Sequence, residues 1–298
     1  MSPPPQKRLK QPSAARSRAP SSAPSSSPSR SRKPPRDLEL EAGSSAHYEN
    51  PAYYRQTYAR RTHDVRYYVD LALKRRGPVL EYGCGNGRIT LPIARTGVEI
   101  LGVDLSPPML GDLKKALREE PADVAQRVTL RRGDMRRVRL DQRFRLVICP
   151  FNALLHLYTR ADMEAFLART REHLLPHGQL VFDVSMPEPE ELARDPARAY
   201  ATPRFRYPDA SSGSSVVKYT ERFDYDKMRQ VLFVAMEFSP VNGGESWMTP
   251  LAHRQFYPQE LEALLHYNGF RITALHGDFS EEPATSSSST LIYHCKPR

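Results

Sequence analysis

Two acidic residues bracket the stretch where this chain concentrates its chemistry. Glu81 stands two residues before Gly83, the first of three glycines at alternate positions (Gly83, Gly85, Gly87) in V-L-E-Y-G-C-G-N-G-R-I-T. Asp104 ends the apolar run V-E-I-L-G-V-D, seventeen residues after Gly87. A glycine has no Cβ, so the backbone can turn sharply there and a ligand can lie against the main chain. Two carboxylates at adjacent strand ends beside such a loop suit a ligand that carries hydroxyls and a positive charge, and suit a phosphate poorly. The dinucleotide fingerprint G-x-G-x-x-G needs its third glycine where Arg88 stands, so that pattern fails.

More candidates follow in order. Gly133-Asp134-Met135 closes a third apolar run, and L-V-I-C-P-F-N at 146–152 closes a fourth, bringing Pro150 and Asn152 to its end. His156 comes four residues after Asn152. With an ordinary pKa of about 6.5, an imidazole there can take a proton from a hydroxyl or an ammonium near neutral pH. E-x-G-x-G-x-G followed by an acid at the end of the second strand resembles the class I S-adenosylmethionine-dependent methyltransferases, and the later motifs extend the resemblance over roughly residues 48–298. The resemblance implies a glycine loop passing under the methionine part of the cofactor, with Glu81, Leu105 and Pro150 among the cofactor-binding residues. It also implies Asp104 on the ribose hydroxyls, and Asp134 with Met135 at the adenine.

Within that family the chain looks most similar to small-molecule enzymes, the sugar N,N-dimethyltransferases, where a histidine after strand four lies near the amine. His156 would hold that place as general base, or else be a structural histidine of the loop. Tyr54-x-x-x-Tyr58-x-x-Arg61 resembles the segment that folds over the cofactor in the same enzymes. Arg61 would then face the methionine carboxylate, since a guanidinium binds carboxylates bidentately; a solvated charge run is the alternative. Asn152, Glu221 and Arg254 are candidate substrate-binding residues. Glu221 would attract a cationic acceptor, or pair with a Lys or Arg at a sheet edge. No acid follows strand four in the position where catechol-type enzymes of the family hold a divalent ion, so no metal is expected.

These residues need elements to carry them. Apolar positions in 63–73 (Val65, Tyr68, Val69, Ala72, Leu73) recur with a helical period. Strands are expected at 78–82, 98–103, 127–131, 145–150 and 178–184, with helices at 87–95, at 107–118 and after Thr159. Such alternation implies an α/β fold, a doubly wound Rossmann-like sheet of seven mostly parallel strands with ligands at the carboxyl ends. The region 186–250 breaks the rhythm: two alternating runs, 216–225 and 230–238, predict an inserted β-hairpin lid. A last helix and two strands close residues 251–298. The cofactor-binding core is thus 77–185 within a methyltransferase domain spanning 43–298.

The net charge of +10 is unevenly spread. Residues 1–36 hold nine Lys or Arg and no acid; removing those nine from 44 leaves 35 basic against 34 acidic residues. Ten serines, nine prolines and almost no large apolar residue in the same segment predict a disordered tail, taken as 1–42. The near-neutral remainder makes nucleic acid an unexpected partner. Three cysteines in apolar runs and no apolar stretch long enough for a membrane span point to a soluble, cytoplasmic protein, with a homodimer possible. The expected function is methyl transfer from S-adenosyl-L-methionine to an amine or hydroxyl of a small molecule by in-line displacement. An RNA methyltransferase tethered by its basic tail and a non-catalytic S-adenosylmethionine-binding protein are the other two readings.

Overall fold

The computed structural model describes residues 37–209 and 213–298. Most of the expected disordered tail lies outside the described residues. Its last six assigned positions do not: Asp37 caps a short helix and 38–42 belong to it. The elements run α1 (Leu38–Ser45), α2 (Pro51–Tyr58), α3 (His63–Arg75), β1 (Val79–Tyr82), α4 (Thr90–Arg95), β2 (Ile100–Asp104), α5 (Pro107–Glu119), α6 (Ala122–Ala125) and β3 (Val128–Arg132). They continue with β4 (Phe144–Cys149), α7 (Arg160–His173), β5 (Leu174–Ser185), α8 (Pro189–Leu192), β6 (Tyr200–Asp209), β7 (Gly213–Asp226), β8 (Val231–Pro240) and β9 (Trp247–Arg254). The last three are α9 (Pro258–Tyr267), β10 (Phe270–His276) and β11 (Thr290–Pro297).

The large sheet has seven strands in the order β10-β11-β5-β4-β1-β2-β3, and β11 alone runs against the others. Strands buried on both faces read as continuous apolar runs rather than alternating ones, and β1 is buried at every position. One face packs Leu80, Tyr82, Phe166 and Phe182 into a core; the other packs Tyr68, Ile93, Ile148 and Ile292. Local signals set the helix starts. Ser106 caps α5 through the Met109 N–H with proline in the first turn, and Thr159 with Asp162 forms a capping box on α7. The buried stripe of α3 is Tyr67, Tyr68, Leu71 and Ala72, whereas Leu73 is exposed. The expected stripe was displaced because Tyr67, a polar-tipped aromatic, buries its ring and bonds His294.

The expected hairpin is present as β7 and β8, turned at Asp226, whose carboxylate accepts from the N–H groups of Met228 and Arg229. It forms the centre of something larger, an antiparallel sheet of order β6-β7-β8-β9. The two outer strands went unrecognised because β6 holds prolines and arginines and β9 holds Pro250, residues that disfavour a strand reading from sequence. One face of this sheet carries Phe205, Tyr207, Tyr219, Phe238 and Trp247 around Tyr53 of α2. That aromatic packing ties the N-terminal helices to the second sheet.

Candidate active site

Gly83, Asp104, Phe151 and Ser185 stand at the carboxyl ends of four neighbouring parallel strands, β1, β2, β4 and β5. The loop after β1 is drawn across to β2, since the N–H groups of Gly83 and Cys84 both donate to the Val103 carbonyl, at 2.8 and 3.1 Å. Gly83 and Gly87 have φ of 71° and 86°, a left-handed region that side chains resist. A Cβ at Gly83 would lie 2.7 Å from that of Ala153, and one at Gly87 2.3 Å from Leu113. The loop is therefore pinned between the turn after β4 and helix α5, and only glycine fits. Asp104 accepts the Gly85 N–H at 2.7 Å on one oxygen and the Ser106 N–H at 2.8 Å on the other. A carboxylate oxygen has two lone pairs, so each retains one acceptor position.

Glu81 is buried beneath the loop, where it accepts from the Thr90 hydroxyl at 2.5 Å. Burial pushes its carboxyl up to about 8, so at neutral pH it is largely uncharged. Phe151 meets two cations. The Arg61 and Arg88 guanidinium carbons lie 4.8 and 4.6 Å from its ring centre, and the Tyr58 ring meets its edge at 4.7 Å. Both arginines share one buried counterion: Arg88 forks onto Asp64 at 2.7 and 2.8 Å, and Arg61 reaches it at 3.0 Å. Asp183, which accepts the Phe151 N–H, is a second carboxylate in the range of the same two arginines.

The turn carrying Phe151 is itself strained, because Phe151 and Asn152 have φ of 55° and 61°. Two clamps from β5 hold it. Asp183 accepts the Phe151 N–H and the Tyr68 hydroxyl, and Asn152 exchanges hydrogen bonds with Ser185 through both ends of its amide.

Beyond that turn, His156 sits in a directional chain. The Tyr158 hydroxyl donates to the Ala252 carbonyl at 3.0 Å, so its oxygen accepts from His156 Nδ1 at 3.1 Å. Nε2 is then the unprotonated nitrogen, and it accepts the Tyr48 hydroxyl at 2.7 Å. Burial, with His47 nearby, lowers the His156 imidazole to about 4, and His253 packs on it at 5.1 Å. His47 is also buried; its Nε2 meets the Tyr58 hydroxyl at 3.0 Å, while its Nδ1 has no partner among the described residues.

A methyltransferase-domain family model matches residues 79–178, the span from β1 into β5. The CcbJ methyltransferase of Streptomyces caelestis has a similar solved structure, with a TM-score of 0.66, 26% identity, and coverage of 79% of this chain and 96% of that one. The chain is a class I S-adenosylmethionine-dependent methyltransferase. Among curated proteins, this methyltransferase is 34% identical over 121 residues to the dTDP-3-amino-3,6-dideoxy-alpha-D-glucopyranose N,N-dimethyltransferase of Streptomyces fradiae, over 39% of this chain and 44% of that protein. It is 24% identical over 219 residues to the cypemycin N-terminal methyltransferase of a Streptomyces species, over 72% of this chain and 80% of the other.

The geometry brings together most of the residues singled out from sequence, and sets some apart. Gly83, Gly85, Gly87, Asp104, Tyr54, Tyr58 and Arg61 gather at the strand ends; Pro150 begins the Phe151 turn, and Leu105 is exposed beside Asp104. Met135 packs against the core edge. Three of the residues have partners within the chain. Both oxygens of Asp134 are taken up by Arg136, through its backbone N–H and its guanidinium, so no free acceptor faces a base. Both ends of the Asn152 amide bond Ser185, so it clamps the turn while keeping one N–H and one lone pair unused by that clamp. Arg254 is buried, bonded to the Gln255 carbonyl and to Glu260, and joins β9 to α9. Glu221 is different: it accepts only the Tyr219 hydroxyl, at 2.5 Å, and no Lys or Arg pairs with it among the described residues.

Sequence reasoning missed Tyr48, Asp64, Arg88 and Asp183. Arg88 directly follows the third glycine, and Asp183 is a lone acid in the apolar run L-V-F-D-V; both were visible as oddities. Tyr48 and Asp64 had no such mark, since their roles arise from contacts across the fold. The three cysteines are free and buried, and among the described residues no helix is long and apolar enough to cross a membrane.

Proposed function

We propose that this methyltransferase methylates an amine on a small molecule, and Glu221 is the observation that carries the reading. It is a partly buried carboxylate on β7, in the electrostatic range of Tyr53 and Tyr58, and it has no cationic partner among the described residues. An uncompensated carboxylate in that setting favours a cation. The named activities of the two curated relatives, one on an amino sugar and one on a peptide N-terminus, agree with an amine acceptor.

The site residues fit S-adenosylmethionine. The two free acceptor positions on Asp104 match a pair of neighbouring hydroxyls, and the guanidiniums of Arg61 and Arg88 match a carboxylate. When bound, that cofactor supplies an electrophilic methyl group. The remaining work of the chain is alignment and proton removal. His156 is neutral at pH 7, with Nε2 accepting the Tyr48 hydroxyl. Its contact outward is Tyr48, so a proton leaving the acceptor would pass to the Tyr48 oxygen as the Tyr48 proton moves to Nε2.

Radiolabelled methyl transfer to a panel of paired amines and alcohols of equal size tests the reading. Labelled product from the amines is expected, with a rise in KM of about tenfold or more for Glu221→Gln, the scale of a lost charge-assisted contact. Transfer to alcohols alone, or an unchanged KM in the variant, contradicts it.

A further inference from the structure

The opposite end of the large sheet, where β4 and β5 begin, holds a cleft of about 330 Å³ with an unusual lining. Arg143 precedes β4, Arg171 lies in the last turn of α7, Arg271 is on β10 and Lys296 on β11; His177 stands at the rim and no acidic residue contributes. Among the described residues none of the four cations is within 4 Å of a carboxylate, and Arg171 alone has a hydrogen bond, to the Asn268 carbonyl at 3.5 Å. Arg271 and Lys296 are direct cross-strand partners. Like charges placed opposite one another in an antiparallel pair repel and destabilise the sheet. Buried Leu174 lines the cleft beside the cations. His177 is held at φ 65° in the stretch that forms the rim.

Several exposed arginines of this chain are paired with acids, Arg95 with Glu120, Arg160 with Glu164 and Arg169 with Glu172, whereas the cleft gathers four cations with no acid in its lining. We propose that this cleft is a binding site for a small polyanion carrying two or more phosphate groups. Arginine forks match phosphate oxygens bidentately and a lysine adds a point charge. The anion would relieve the repulsion between Arg271 and Lys296 and close the four cations around one ligand. The site is separate from the methyl-transfer centre, which lies at the other ends of the same strands, so it does not rest on the identity of the methyl acceptor.

Thermal unfolding of the full chain with inorganic pyrophosphate, against sodium chloride at matched ionic strength, tests it. Pyrophosphate at a hundredfold excess over its Kd is expected to raise the melting temperature by about 3 °C or more. The pair Arg143→Gln with Arg271→Gln should abolish most of that rise, while Arg131→Gln with Arg132→Gln, on the β3 edge, should keep it. No rise in the unaltered protein, an equal rise in the cleft variant, or equal loss in both variants would overturn the site. Without ligand, Arg271→Gln should melt at or above the parent, because it removes a repelling pair. A melting point several degrees lower would show that the arginine serves the fold and not a ligand.

Discussion

The two sheets of this methyltransferase solve different problems with different residues. The seven-stranded sheet presents its cofactor end through backbone: left-handed glycines, N–H groups turned onto Val103 and Asp104, and a strained turn fastened by Asp183. The four-stranded sheet presents side chains, an aromatic face on Tyr53 and a carboxylate, Glu221, without a counter-charge among the described residues. Backbone geometry admits few sequences, since a Cβ at Gly83 or Gly87 has nowhere to go. An aromatic face tolerates many. Cofactor binding is thus written in spacing, and acceptor choice in surface chemistry that spacing does not record.

The sharpest way to break this division is at His156, where the two halves meet. His156→Ala is expected to lower turnover by about a hundredfold or more, the usual cost of a lost general base, with cofactor affinity nearly unchanged. Tyr48→Phe should reproduce a large part of that loss if protons pass through its hydroxyl. Steady-state kinetics with a separate cofactor titration would distinguish this outcome from a structural role, in which turnover is kept. Because burial lowers His156 to about 4, the acid fall of kcat/KM for this group should lie near pH 4 to 5 and not near 6 to 7, the range an exposed histidine suggests. A pH profile of parent and His156→Ala enzymes checks the assignment.

Stability should show the same burial. His47, His156 and His294 all have folded-state values of about 4, below the 6.5 of the unfolded chain. Between pH 6.5 and 4 the unfolded state therefore binds protons that the folded state refuses. Stability from these groups is full above pH 6.5 and declines as pH falls through that window. Urea midpoints at pH 7 and pH 5 should differ in that sense; equal midpoints would contradict it. The smallest expected effect is that of removing residues 1–36. With few large apolar side chains to join a core, the segment should leave the melting temperature and turnover on a small acceptor nearly unaltered. A loss of several degrees on truncation would contradict that.

The large sheet was legible because parallel strands covered on both faces need continuous apolar runs, and Val79–Tyr82 or Phe144–Cys149 can hardly be read otherwise. Glycine and Asp104 were legible for the same reason that they are constrained. The outer strands β6 and β9 were not, since each has one exposed face and carries residues that disfavour strands. The bonds of Asp134 to Arg136 and of Asn152 to Ser185 were not legible, because they form in a loop and at a strand end whose geometry only folding sets. Tyr48 was hidden by distance: 108 positions separate it from the histidine it bonds.

Asp104 bears the most direct test of the cofactor end. Calorimetric titration of the full chain with S-adenosylhomocysteine, repeated on Asp104→Ala and with NAD in place of the ligand, measures it in one experiment. Binding to the parent, a loss of about 1–3 kcal/mol in the variant, and no binding of NAD are expected from a carboxylate that retains two acceptor positions for neighbouring hydroxyls. Unchanged affinity in Asp104→Ala, or micromolar binding of NAD with none of the sulfur nucleoside, would contradict it.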